Sequence, residues 1–208
     1  MNRLQKSGIL IVVILLVDQL SKFWIKTNMM LGEEFNVIGD WFKIHFVENP
    51  GMAFGFEFGG EYGKIALTLF RIVAVCFIGF YLVKASKNRT IPCGFLICVA
   101  LIMAGALGNI IDCVFYGIVF DHSYNQVAQF LPESGGYASI LHGKVVDMLY
   151  FPMIDTRYPD WFPILGGKSL QFFRPVFNIA DSAISVGICA MLIFYWKTLN
   201  KEMNTSNN

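Results

Sequence analysis

Charge is what this chain has least of. Sixteen Lys and Arg and fifteen Asp and Glu in 208 residues leave it 15% charged, where soluble domains carry roughly a quarter. With 55% hydrophobic residues and a mean hydropathy of +0.55, that scarcity excludes an ordinary soluble domain and requires an integral membrane protein. A net charge of +1 gives no basic footprint, so no nucleic-acid partner is expected. Histidine is almost missing. His45, His122 and His142 have no partner spacing, and no pair among Cys76, Cys93, Cys98, Cys113 and Cys189 has a metal-ligand or redox spacing. No metal site is expected, and the cysteines read as free thiols in apolar stretches. There is no H-E-x-x-H zinc motif. Ser21 adjoins Lys22 and Ser182 adjoins Asp181, but neighbouring helix positions diverge by roughly 100°, so neither pair forms a serine–base couple. Internal repeats and low-complexity linkers are also lacking, which leaves residues 1–208 as a single domain.

What is present is four apolar runs of spanning length, about 8–25, 63–83, 91–111 and 176–196. Arg3 and Lys6 before the first run resemble a signal peptide, but no A-x-A-like cleavage site follows. The first run therefore reads as a retained helix. Short-loop charge sets orientation: Arg3 and Lys6, then Lys84, Lys87 and Arg89, then Lys197 and Lys201 all mark the cytoplasmic side. Both termini are expected inside. Stretches 26–62 and 112–175 are expected outside.

The outer stretches carry their own signals. Trp41–Val47 is rich in aromatic and β-branched residues, as a strand requires, and Asn49-Pro50-Gly51 marks a turn. Met52, Phe54, Phe56 and Phe58 alternate with smaller or polar residues, as on one strand face. A small sheet on the membrane follows, its aromatic face serving acyl chains, an extended peptide or packing alone. The second stretch, with Pro132–Gly136, Phe151-Pro152, Trp161-Phe162-Pro163 and Phe172-Phe173, reads as a loop folded onto the interface.

Polar residues then appear where a bilayer penalises them. Asp18 and Lys22 are spaced i,i+4 and share a helix face. They form either a structural ion pair or a direct substrate contact. If the role is structural, loss from Asp18→Asn is partly relieved by Lys22→Met; no relief of activity in a folded variant favours substrate contact. Asn109 and Asp112 at the end of the third span, and Asn178 and Asp181 at the start of the fourth, repeat an i,i+3 spacing. Helix capping accounts for either Asp singly. Gathering at one membrane depth, however, points to a common site. Two carboxylates brought together share one proton, leaving one acid and one base. Such a pair fits hydrolysis at a membrane surface.

Five segments in order carry a family resemblance. They are Asp18-Gln19-Leu20-Ser21-Lys22, Val47–Phe54, Gly105–Asp112, Gly143-Lys144-Val145-Val146-Asp147 and Phe177-Asn178-Ile179-Ala180-Asp181. Together, on a four-span scaffold, they resemble the bacterial lipoprotein signal peptidases, also called signal peptidase II. The resemblance implies a mainly α membrane fold: a four-transmembrane-helix bundle with a small extracytoplasmic β-sheet and an interfacial periplasmic loop. It implies an aspartic endopeptidase that removes signal peptides from diacylglyceryl-modified prolipoproteins, cutting before the lipid-modified cysteine. The dyad maps onto Asp147 and Asp181. Supporting residues map onto Asp18, Lys22, Asn49, Gly108, Asn109, Asp112, Asn178 and Ala180. No metal or organic cofactor is implied. The expected partners are those precursors, membrane lipids and globomycin-type inhibitors. The expected location is the inner membrane, with the site near the periplasmic face, and a monomer is expected.

Two departures stand out. The family pattern has Arg after the Asp of its third motif, and here Cys113 follows Asp112; Arg174 or another cation is the candidate replacement. The loop 113–142 is long and holds a second G-x-V-x-D, Gly117–Asp121, at the family's usual short distance from Asp112. Asp147 is preferred because the apolar Met148-Leu149-Tyr150-Phe151 follows it, whereas polar His122-Ser123-Tyr124-Asn125 follows Asp121. Two other function classes remain. A proton-coupled transporter needs an acid ladder across the membrane, and only Arg71 interrupts the second span. A non-catalytic lipoprotein-binding factor would tolerate loss of either dyad carboxylate.

Overall fold

The computed structural model describes residues 1–50, 60–152, 154–157, 159–163, 166–172 and 175–205. The proposed strand face Met52, Phe54, Phe56 and Phe58, and the candidate cation Arg174, lie outside the described residues.

Helix α1 (Arg3–Asn28) starts at a capping box: Asn2 accepts from the Gln5 backbone N–H at 2.7 Å, and the Gln5 side chain accepts from the Asn2 N–H at 2.9 Å. Its packing is inverted relative to a soluble helix. The buried residues are Ser7, Asp18, Lys22, Ile25 and Lys26, whereas Val12, Val13, Leu16, Val17 and Leu20 are exposed. Only an apolar surrounding makes that arrangement favourable, because each internal polar group then needs an internal partner.

Helix α2 (Gly60–Lys87) packs on α3 (Cys93–Ile111), the most buried helix. Small residues let α5 (Ile179–Phe194) approach α3 closely. A Cβ added at Gly105 would collide with the Ala180 carbonyl, and one at Gly187 would lie 2.9 Å from the Cys98 carbonyl. α3 continues through a π-helical turn, Asp112–Tyr116, into α4 (Gly117–Val119). Among the described residues, three helical segments, Arg3–Asn28, Gly63–Lys87 and Cys93–Val119, are long and apolar enough to cross a membrane. The fourth span departs from the expected 176–196. α5 has only 16 residues, and α6 (Trp196–Thr205) leaves it at an 88° bend; the two qualify as one span only when taken together. The start is displaced because Val176 and Phe177 are drawn into a sheet.

That sheet has four antiparallel strands in the order β1-β2-β3-β6: β1 (Glu34–Ile38), β2 (Phe42–Asn49), β3 (Val145–Tyr150) and β6 (Val176–Phe177). β4 (Ile154–Arg157) and β5 (Ser169–Phe172) form a separate hairpin. The expected strand at Trp41–Val47 is therefore β2. The stretch expected to be interfacial loop contributes a central strand as well, because Val145–Tyr150 is β-branched and apolar enough to be covered on both faces. Val146 and Met148 of β3 join Phe46, Ile25, Met29, Tyr116 and Phe120 in one core beneath the sheet. Asp147, between them, points to the opposite face.

Candidate active site

The end of α1, the end of α3, the β2–β3 ladder and the start of α5 converge where Asp147 lies. In the ladder Asp147 pairs with Val47, and Asn49 pairs with Val145. Asn49 and Asp147 share a sheet face, and the Asn49 amide donates to Asp147 Oδ2 at 3.4 Å. β6 then delivers Asn178 directly below. Its Nδ2 donates to Asp147 Oδ1 at 2.7 Å and to Asn109 Oδ1 at 3.2 Å. Its Oδ1 caps α5 by accepting the Asp181 backbone N–H at 2.9 Å. The Asp181 carboxylate sits in the first helical turn, where backbone dipoles face a negative charge. Its Oδ1 accepts from Asn109 Nδ2 at 2.7 Å. Two asparagine amides thus link the two carboxylates.

Behind this pair is a buried ionic hub. Lys22 Nζ lies 2.9 Å from Asp18 and 2.7 Å from Asp112, all three side chains at most 1% exposed. It also donates to Asn109 Oδ1 at 3.1 Å. The i,i+4 spacing anticipates the Asp18 contact. The second carboxylate comes from the far end of α3 and answers the question raised by Cys113: Lys22 is the cation of Asp112. Cys113 itself meets Arg71 of α2, whose Nη1 lies 3.8 Å from its Sγ. Asp18 Oδ1 accepts the Ala180 N–H at 2.9 Å, and Asp112 Oδ2 accepts the Val146 N–H at 3.3 Å. The hub therefore grips the backbone next to both Asp181 and Asp147. Gly108 belongs to it by absence of a side chain, since a Cβ there would sit 2.7 Å from Asp18 Oδ2.

All ten residues singled out in the sequence meet in this one network. Asp121 does not join them. Its carboxylate is used within its own loop, accepting from the Gln129 N–H at 2.7 Å and from Gln126 Nε2 at 3.3 Å. Gln19 is a member that the sequence reading does not single out. Its Nε2 lies 3.1 Å from Asp18 Oδ2, 2.9 Å from Asp112 Oδ1 and 3.2 Å from the Gly108 carbonyl, while its Oε1 accepts from Tyr116. Its place beside Asp18 in the first motif is the available signal.

Burial, followed by the negative charge of Asp181, pushes the Asp147 carboxyl up to about 7, against the opposing hydrogen bonds from Asn178 and Asn49. An acid poised near neutrality beside a second carboxylate has the elements of general acid–base chemistry. Among the described residues, no three His, Cys, Asp or Glu are grouped to hold a metal ion. The cysteines are free thiols.

Comparison with known proteins places this chain in a family. The family model described as signal peptidase (SPase) II matches residues 10–197. The lipoprotein signal peptidase of Porphyromonas gingivalis (strain ATCC 33277) is 51% identical over 191 residues, covering 92% of this chain and 83% of that protein. The lipoprotein signal peptidase of Amoebophilus asiaticus is 36% identical over 179 residues, covering 85% and 72%. A bacterial membrane enzyme solved by the in meso method at 2.3 Å superposes with a TM-score of 0.59 at 25% identity, covering 95% of this chain and 91% of that one. With the match extending over nearly the whole length, the chain belongs to the signal peptidase II family.

Proposed function

We propose that this membrane protease removes signal peptides from lipid-modified prolipoproteins at the outer face of the bacterial inner membrane, cutting N-terminal to the diacylglyceryl-cysteine. Asp147 and Asp181 act as a water-activating dyad. The observation that carries this reading is Asn178, which donates to Asp147 and caps the helix turn bearing Asp181. That link supports reading the two carboxylates as one site.

Asp147, with its raised proton affinity, is the acid of the resting dyad, and Asp181 is the base. Asp181 takes a proton from the water as its oxygen attacks the scissile carbonyl carbon. Asp147 gives its proton to the carbonyl oxygen. Collapse of the tetrahedral intermediate breaks the C–N bond, Asp181 passes its proton to the leaving amine, and Asp147 recovers a proton from the intermediate's hydroxyl. Asn178 donates to Asp147 Oδ1 and Asn49 to Oδ2, so both oxygens are held in place while the carboxyl gives up and recovers its proton. Asn49 and Asn109 orient the pair and the peptide. Lys22 acts at one remove: it fixes Asn109, which fixes Asp181. The aromatic run Trp41, Phe42, Phe151 and Phe177, with Phe42 stacked on Phe151 at 4.7 Å and Phe151 on Phe177 at 5.8 Å, offers the acyl chains an apolar path along the sheet.

The test is a gel-shift cleavage assay on a diacylglyceryl-modified precursor, with folding checked by thermal melt. Asp147→Asn and Asp181→Asn should each lose at least the roughly 10²–10⁴-fold that a general acid or base typically contributes, yet still bind a globomycin-type ligand. Asp121→Asn should cleave normally. Activity surviving in both dyad variants removes the aspartic mechanism; an inert, folded Asp121→Asn beside an active Asp147→Asn moves the dyad to the loop.

A further inference from the structure

A second buried ion cluster lies on the other face of the sheet. Lys26, fully buried in the last turn of α1, places Nζ 2.7 Å from Glu48 Oε1. Lys144 places Nζ 3.2 Å from Glu48 Oε2. Ser123, from the long loop, closes the cluster: its hydroxyl accepts from Lys26 at 2.8 Å and donates to Glu48 Oε1 at 3.2 Å. The rings of Tyr137, Phe120 and Phe46 surround the Lys26 ammonium at 5.0, 5.4 and 6.0 Å. Burial pushes the Glu48 carboxyl up, but Lys26 and Lys144 more than offset it and hold the group below its usual range. The Glu48 carboxylate is therefore held in its charged form by its two lysine partners.

Its position relative to the dyad is specific. Glu48 pairs with Val146, and its neighbours Val47 and Asn49 pair with Asp147 and Val145. Successive strand residues face opposite sides. Glu48 thus enters the core with Val146, Phe46 and Met148, while Asn49 and Asp147 face the dyad. The ladder is irregular between Ile44 and Val47, so regular pairing farther down β2 does not dictate the register of its last three residues. A slip of one residue would turn Glu48 onto the Asp147 face, set a negative charge beside the dyad and leave Lys26 buried without its carboxylate.

We infer that Glu48, clamped by Lys26, Ser123 and Lys144, is a positioning residue that fixes the register of the β2–β3 pairs and so holds Asn49 and Asp147 in catalytic alignment. The inference rests on the dyad reading above. It also accounts for the long loop, since Ser123 supplies one side of the clamp.

The experiment measures kcat and KM per folded enzyme, with thermal melts, for Glu48→Gln and for the charge-free double variant Lys26→Met/Glu48→Met, which leaves no unpaired charge deep in the core. Each is also combined with Asn49→Ala. The double variant should melt near the wild type, with KM within about twofold and kcat down about 10- to 100-fold, as small misplacements of reacting groups cause. Adding Asn49→Ala should cost little more, because both changes act on the same alignment. A folded double variant with wild-type kcat overturns the inference, as does full additivity with Asn49→Ala. If neither variant folds, the cluster is a folding requirement, and the positioning role is likewise overturned. Asp147→Asn is run alongside: cleavage by that variant sinks the dyad, whereas an inert Asp147→Asn beside a fully active double variant sinks only the role of Glu48.

Discussion

Removing the Lys22 ammonium should harm this protein more when Asp18 has already been neutralised than an isolated ion pair would allow. For a lone i,i+4 pair, Asp18→Asn strands a buried cation, and Lys22→Met relieves it. The structure reverses the second step. Lys22 also contacts Asp112 at 2.7 Å, and both carboxylates are sealed from solvent. In Asp18→Asn the lysine keeps Asp112, and the asparagine oxygen can still accept from the Ala180 N–H. The loss is then one charge-assisted hydrogen bond, about 1–3 kcal/mol. Lys22→Met instead leaves two facing carboxylates without a cation, a cost of about 3–5 kcal/mol or more. The Asp18→Asn/Lys22→Met double variant still strands Asp112 and should be less stable than Asp18→Asn alone. Adding Asp112→Asn should restore stability without restoring cleavage. Denaturant or thermal unfolding in detergent micelles reads the order directly. A double variant more stable than the Asp18→Asn single refutes the three-charge hub.

The Asp147 carboxyl, raised from 3.8 to about 7, binds its proton more tightly in the folded state, so its contribution to stability is complete below about pH 4 and lost as pH rises through 7. Asp147→Asn, which cannot ionise, should therefore out-melt the wild type above pH 7 and lose that advantage at pH 4; equal melting across the range contradicts the shift. In the active enzyme, kcat should fall as pH rises past about 7, and Asn49→Ala should move that limb to higher pH by removing a bond that holds the proton affinity down. Single cysteines at Glu61 and Asn88, in a background cleared of native thiols, should label from opposite sides of the membrane; labelling from one side excludes four spans.

Much of the site is legible in the sequence because Asp18, Lys22, Asn109, Asp112, Asn178 and Asp181 are polar residues in or beside apolar runs. Asp18, Asn109 and Asp181 stand out against their runs without any knowledge of the fold. Partners distant in sequence are not legible. The i,i+4 rule finds Asp18 for Lys22, but nothing local announces Asp112. Lys26 reads as part of the outer stretch because hydropathy falls there, whereas α1 runs on to Asn28 and carries Lys26 into the core on the same face as Lys22. Glu48 and Lys144 are 96 positions apart and meet only through β2–β3 pairing. The strand Val145–Tyr150 is hidden for a related reason: an apolar run with one Asp reads equally as a return to the membrane, and only cross-strand partners decide. Val176 and Phe177 merge into the last span because they are apolar, although pairing with β3 takes them.

The inverted packing of α1 has a consequence for how the protein is made. Translation delivers this helix before its partners, with an aspartate and two lysines along one stripe, and a charge that enters a bilayer unaccompanied near the helix centre costs about 2.5–3.5 kcal/mol. Asp18 accompanies Lys22 within the helix itself, but Glu48 follows Lys26 by 22 residues and Asn109 follows Lys22 by 87. At about 5–20 residues per second, the newborn helix waits roughly 4–17 seconds for the third span to leave the ribosome. That cost favours holding the helix beside the insertion machinery until α3 arrives to complete the hub. A ribosome stalled before α3 should thus hold α1 in a state extractable by alkali.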